Sequence, residues 1–345
     1  MPFLWMLFIP LFLTATSFED KVGALIIMGF RGMSLDEAPE LKMQLDKHAI
    51  GGIILYDWDS PHQNNDRNIQ SPEQLHSLCH ALSTYPIWIA IDQEGGKVNR
   101  LHPTYGFPST LSQEALAEDP AQNLKQAHQT AALLHDLGIN LNFAPVVDLL
   151  RERKSDVMAK SGRCFGADPN SVTDLARMVV DAHHSHGVAC CLKHFPGHGS
   201  AMGDTHMGFV DVTQTWQSDE LEPYKALLNT DMVMTAHVFH AHLDAQYPAT
   251  LSKAIIQGLL RETLGYQGIV ITDDLGMKAV SAHYSLKERV KLALNAGVDL
   301  LLFGNQHEYD PQIGSSVKAL ILQLVEEGEV APARIEEAYQ RTRRT

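Results

Sequence analysis

The densest chemistry in the chain lies in LKHFPGHGSAMGDTH, residues 192–206. Lys193 and His194 end an apolar run, Pro196, Gly197 and Gly199 make a tight turn, and Asp204 stands two residues before His206. A carboxylate beside an imidazole orients the ring and raises its pKa, which gives a proton donor near neutral pH. A second apolar run ends in ITDDL (271–275), with Asp273 and Asp274 adjacent. Side chains alternate along a strand, so only one of the two carboxylates can face a site, as a nucleophile or a general base. Spacing leaves either open, and Asp273 is taken as the functional one. IDQEGGKVNR (91–100) sets Asp92 and Glu94 before a glycine pair, where Asp92 can accept hydrogen bonds from ligand hydroxyls and the glycines let backbone come close. SGRCFG (161–166) carries Arg163, whose planar fork suits a carboxylate or several hydroxyls. The plainer reading of these last two is a capped loop with solvated charges and a loop-stabilising ion pair.

Eighteen histidines, nine of them between His183 and His242, raise the question of a metal. A metal site needs at least three converging ligands with supporting partners, and His194, His198, His206 and His237 are the candidates. There is no H-E-x-x-H, and His183, His184 and His186 fall on a helical pattern, so neither a metal nor a cofactor is expected. HVFHAH (237–242) reads as loop and supporting material, with His237 close behind the pocket. Cys79, Cys164, Cys190 and Cys191 are too few for a disulfide scaffold and lack zinc spacing. Cys164 has no neighbouring His–Asp pattern to make it a nucleophile, and Cys190–Cys191 read as buried. With 41 acidic against 27 basic residues, a net charge of -14, the surface repels phosphate backbones, and nucleic acid is not an expected partner.

Eight nearly continuous apolar runs must position these groups: 22–30, 51–57, 87–92, 140–148, 188–195, 231–238, 268–274 and 299–304. Strands buried on both faces have this pattern. Helical periodicity separates them, most clearly over 121–137, 172–186, 252–263 and 286–296, and Ser71-Pro72-Glu73 has the form of a helix start. Eight β–α repeats predict an α/β fold, a single-domain (β/α)₈ barrel. The rival, a doubly wound sheet, lacks its glycine-rich first turn here. A barrel carries its site at the C-terminal strand ends, which are Asp57, Asp92, Asp148, Lys193, His194, His237 and Asp273. At the N-terminus, residues 1–17 form an apolar extension that fits the hydrophobic part of a signal peptide, with Ala15 and Ser17 near a cleavage point. An exported, periplasmic location is favoured over a cytoplasmic one. The alternatives for the segment are a helix covering the barrel bottom or a start codon set too far upstream. The run is too short for a typical membrane span, and no later stretch reads as one. Residues 18–345 are assigned to the barrel, closed by a turn at EEGEV and a last amphipathic helix.

Taken together, IDQEGGKVNR, SGRCFG, KHFPGHG followed by DTH, and ITDDLGM resemble family 3 glycoside hydrolases, and more narrowly their bacterial β-N-acetylglucosaminidase branch. The combination, in this order and on these strand ends, is far more specific than any one motif, and it covers about Phe18 to the C-terminus.

The resemblance implies that Asp273 is the nucleophile of a retaining hydrolysis through a covalent intermediate, with Asp204 and His206 as the acid/base dyad. It implies sugar-binding roles for Asp92, Arg100, Arg163, Lys193 and His194. The implied substrate is terminal β-linked N-acetylglucosamine on a saccharide or muropeptide, such as N-acetylglucosaminyl-1,6-anhydro-N-acetylmuramyl peptides, and the implied state is a monomer. The alternatives are a β-glucosidase or another glycosidase of the family, a phosphorylase, or an inactive sugar-binding barrel. Three departures stand out. Asp204–Thr205–His206 replaces a frequent DSH, Ser200 follows GHG where the family often has an acidic residue, and LLRERKSDVMAK (149–160) is unusually charged next to the expected sugar site.

Overall fold

Eight parallel strands close on themselves: β1 Ile26–Gly29, β2 Gly52–Leu55, β3 Trp88–Ile91, β4 Leu141–Asn142, β5 Ala189–Phe195, β6 Met232–Thr235, β7 Ile269–Thr272 and β8 Leu301–Phe303. The computed structural model describes residues 16–343 apart from 65, 66, 154, 156 and 307. Neighbours in the sheet are neighbours in sequence, and β8 returns to pair with β1 at Ile26–Leu301. A bridge at Ile271–Leu300 joins β7 to β8 and completes the (β/α)₈ barrel. The extension at 1–15 lies outside the described residues. Thr16 and Ser17 belong to the barrel's lower end, where the Ser17 hydroxyl accepts the Asp20 amide and caps the first helix.

Each strand divides its apolar residues by parity. Ile27, Ile54, Ala90, Cys191, Met232, Met234, Ile269, Ile271 and Leu302 fill the barrel interior. Their sequence neighbours, such as Ile53, Leu55, Val233 and Val270, pack outward in a second cluster against the helices. Because both faces are buried, the run is apolar throughout. The surrounding helices are α1 Phe18–Gly23, α2 Pro39–Asp46, α3 Pro72–Leu82, α4 Pro120–Leu137, α5 Pro169–Ser185, α6 Ala254–Thr263, α7 Leu286–Ala296, α8 Ile313–Glu326 and α9 Pro332–Thr342. Ser71 caps α3 with Pro72 in its first turn, and Ser285 with Glu288 forms a capping box on α7.

Three expectations shift. The first strand begins at Ile26 rather than residue 22, because 18–23 is the capped α1. The fourth strand pairs regularly only over Leu141–Asn142, since Pro145 has no amide to give the ladder. The 252–263 helix opens with a tight turn at Ala249–Leu251 and continues in α6 as a wide helix, with Leu264 N donating to Leu259 O. At the barrel bottom, the fully buried Asp299 accepts from Arg261, Arg334, Arg341 and the Val270 amide, which ties α6 and α9 to the sheet.

Candidate active site

The inward rows continue past the strand ends. Two residues beyond Ile54, Ala90, Cys191 and Ile271 come Tyr56, Asp92, Lys193 and Asp273. All four line a cavity of about 240 Å³ at the C-terminal mouth, together with His194 and Arg163. Parity also separates the two carboxylates of strand β7. Among the described residues Asp273 accepts its neighbour's amide alone, at 2.8 Å, whereas Asp274 accepts the amides of Gly276 (2.8 Å) and Gly304 (2.9 Å), so it joins the loops after β7 and β8. Burial opposes ionisation of Asp273. The imidazoles of His194, His237 and His206 and the Asp274 amide offset it and hold the carboxyl down at about 2.

A charged cluster forms one wall. Lys193 Nζ donates to Asp92 Oδ1 at 2.7 Å and lies 2.7 Å from Glu94 Oε1. Arg163 grips Glu94 with both arms of its fork, Nε to Oε2 at 2.8 Å and Nη2 to Oε1 at 2.7 Å. Burial raises the pKa of Glu94, but Arg163 and Lys193 override it and hold the carboxyl far below its ordinary range. A hairpin, Gln93–Gly95 against Val98–Asn99, folds the chain back here, and Gly95 and Gly96 take the positive φ angles its turn requires. That return brings Arg100 to 3.8 Å from Asp92 and 3.6 Å from Asp57.

His194 is set from beneath. Its Nδ1 lies 2.7 Å from Asp148 Oδ2, and the same carboxylate accepts the His194 and His198 amides. Gly199 is a glycine because a Cβ there would meet the Leu149 carbonyl oxygen at 1.7 Å. The loop beyond it carries the dyad over the cavity. His206 Nδ1 lies 2.7 Å from Asp204 Oδ1, which also accepts the His206 amide at 2.8 Å. Nε2 is the ring nitrogen left for the cavity. Burial lowers the His206 pKa, but the bond to Asp204 and the charge of Asp273 outweigh this and raise it above 6.5. Asp204 is held low, mainly by its hydrogen bond with His206.

Of the residues singled out from sequence, Asp92, Arg100, Arg163, Lys193, His194, His206 and Asp273 line this one cavity, and Asp204 adjoins it through His206. Three strand-end residues do not line it. Asp57 has outward parity and pairs with Arg100 at the rim, Asp148 is buried beneath His194, and His237 lies under the floor with Nε2 on the Asp274 carbonyl. Sequence reasoning missed Tyr56 and passed over Glu94 as a ligand for its basic neighbours. It also missed Trp58 and Gln306, which reach the cavity from loops. Arg163, expected to face substrate, spends Nε and Nη2 on Glu94, and its Nη1 lies 3.9 Å from Met158 Sδ. In the charged segment, the Arg151 and Glu152 amides donate to the Gly199 carbonyl, in the turn below the dyad. Among the described residues no three His, Cys, Asp or Glu groups converge to hold a metal ion. His183, on α5, has a packing role, bonded to the Val179 carbonyl and Asn142 and held down at about 4 by burial. All four cysteines are free and buried.

Against known proteins, a model of the glycosyl hydrolase family 3 N terminal domain matches residues 17–345. A protein named beta-hexosaminidase from Haemophilus influenzae is 34% identical over 309 residues, covering 85% of this chain and 83% of the relative. Another of that name from Xylella fastidiosa is 36% identical over 292 residues, 81% of this chain and 82% of the relative. Among solved structures, a glycoside hydrolase family 3 beta-N-acetylglucosaminidase from a Paenibacillus species superposes with a TM-score of 0.85 at 33% identity, over 95% of this chain and 62% of that one. The beta-N-acetylhexosaminidase of Beutenbergia cavernae gives 0.84 at 25% identity, over 95% and 98% of the two chains.

Proposed function

The chain belongs to glycosyl hydrolase family 3 and is a glycosidase of the β-hexosaminidase type; on that premise we propose that it releases terminal, non-reducing β-linked N-acetylglucosamine by a two-step retaining reaction. The observation that carries this reading is that one cavity holds a carboxyl whose pKa is held down, Asp273, and an imidazole whose pKa is raised by a paired carboxylate, His206 with Asp204.

In the first step an Asp273 oxygen bonds to the anomeric carbon as the bond to the leaving oxygen breaks. His206 gives its Nε2 proton to that oxygen. In the second step water attacks the anomeric carbon, the ester to Asp273 breaks, and His206 takes the water proton. Two inversions leave the β configuration. The low pKa of Asp273 suits a nucleophile that is always ionised, and the raised pKa of His206 suits an acid that is loaded near neutral pH. Asp92, Lys193, His194, Arg163 and Arg100 ring the cavity and supply both donors and acceptors for sugar hydroxyls and the acetamido group. A cavity this small accepts one terminal sugar and leaves the rest of the substrate outside.

The finer substrate class is the N-acetylglucosaminyl-anhydromuramyl type of wall fragment, supported by the motif combination, and the working state is a monomer, supported by the closed barrel. Pure protein is assayed with an aryl β-N-acetylglucosaminide and the matching β-glucoside. The acetamido sugar is cleaved in preference, and Asp273→Ala loses more than about 10³-fold in kcat/KM. Preference for the glucoside overturns the substrate, and undiminished Asp273→Ala activity overturns the mechanism.

A further inference from the structure

Thr205 stands between the two members of the dyad and is oriented opposite to both. It is 3% exposed, while the side chains of Asp204 and His206 are 33% and 51% exposed. Its carbonyl oxygen accepts the Ala279 amide at 3.1 Å, from the short helix Lys278–Ser281 that follows Asp273 and Asp274. Its hydroxyl oxygen lies 3.3 Å from His198 Nε2. The His198 amide donates to Asp148 Oδ1 at 2.7 Å, and Asp148 is the carboxylate that also sets His194.

Thr205 is therefore tied to the turn after β5 and to the helix after β7. Among the described residues the remaining hydrogen bonds of 202–209 are internal, with Asp204 accepting from His206, Met207 and Gly208. Among the described residues, the hydrogen bonds that fasten 202–209 to the rest of the barrel run through Thr205. Met202, Met207 and Phe209, around the dyad, are 54–69% exposed. Asp204 can orient the His206 ring, but being on the same loop it cannot fix where the loop sits.

We propose that Thr205 is the positioning residue for His206: its bonds to His198 and Ala279 hold the loop down so that the imidazole reaches the leaving oxygen above Asp273. Burial keeps the His198 ring neutral, at about 4, so Nε2 serves Thr205 as donor or as acceptor according to tautomer. His198 Nδ1 has no hydrogen-bond partner among the described residues, so the Thr205 hydroxyl is the one hydrogen-bond partner of this buried ring.

The proposal rests on the acid role given to His206, and its test separates the two. kcat/KM is measured for wild type, Thr205→Val, Thr205→Ser and His206→Ala on aryl β-N-acetylglucosaminides whose leaving phenols range from strongly to weakly acidic. This parameter reports the first bond cleavage, and only weakly acidic leaving groups need a proton there. Thr205→Val, which keeps shape and loses the hydroxyl, falls about tenfold on the poorest leaving group and little on the best, as expected for one lost hydrogen bond acting on the acid. Thr205→Ser follows wild type, and His206→Ala has the same trend with a larger loss. Equal loss across the series for Thr205→Val, or none, overturns the positioning role while His206→Ala still shows the trend. A flat series for His206→Ala overturns the acid role, and the Thr205 proposal with it.

Discussion

Replacing Glu94 with Gln tests whether the charged wall is held together as its geometry implies. The Glu94 side chain is 1% exposed and takes three contacts of 2.7–2.8 Å from two cations, two from Arg163 and one from Lys193. Glutamine keeps the shape but removes the charge and points an NH₂ at one arm of the Arg163 fork. Asp92 is then the carboxylate left against Lys193, and Arg163 keeps the more distant charges of Asp148 and Asp92. Breaking a buried pair from one side costs about 3–5 kcal/mol, mostly from the stranded partner charge. With an unfolding entropy near 2.1 cal/mol/K per residue, a chain of this length loses about 4–7 °C of Tm. The pH dependence carries a sign. The Glu94 carboxyl is depressed on folding, so its stabilisation is fully present above the ordinary value of 4.5 and is lost only as pH falls through the lower folded value. Calorimetry from pH 5 to 8 therefore shows a constant gap between the two proteins, with a raised KM for the variant from misplaced Lys193 and Arg163. A Tm change below about 1 °C across that range refutes the reasoning, because it means that the cations do not need Glu94.

Asp204→Asn removes the contact that raises the His206 pKa, so the alkaline limb of kcat/KM moves down toward 6.5 while the acid limb, set by Asp273 at about 2, stays low; a pH–rate profile with an unmoved alkaline limb contradicts this. Asp273→Ala and Asp274→Ala give different signatures: the first strands one amide and loses turnover, while the second strands the Gly276 and Gly304 amides at about 1–3 kcal/mol each and melts earlier than the first. Asp299→Asn, at the far end of the barrel, costs about 3–5 kcal/mol by leaving Arg261, Arg334 and Arg341 without their shared carboxylate, and the folded fraction keeps its kcat/KM.

Element order was legible in the residues because each element carries its own signal. The eight apolar runs and Ser71 before Pro72 recur in the barrel. Strand phase was not legible. Val270 and Ile271 are equally apolar because one meets helices and the other the barrel interior, so hydrophobicity cannot say which neighbour faces in. The same ambiguity hid Tyr56 behind Asp57 and left Asp273 and Asp274 undecided by spacing. Contacts between distant loops were equally hidden. Glu94 and Arg163 lie 69 residues apart, and Asp148 and His194 lie 46 apart. No local pattern marks Asp148 as the carboxylate beneath a histidine rather than one at the mouth. The Asp204–His206 pair was readable because both members share one short loop.

The central claim is a covalent bond between the sugar and Asp273, formed with His206 as acid and resolved with His206 as base. His206→Ala, given an aryl β-N-acetylglucosaminide with a strongly acidic phenol, needs no acid for the first step and lacks the base for the second. Intact-mass and peptide mass spectrometry after rapid quenching is the direct measurement. The expected result is a protein heavier by one N-acetylglucosaminyl residue, with the added mass on the peptide that contains Asp273. An unmodified protein during turnover, or the sugar on any other residue, contradicts it.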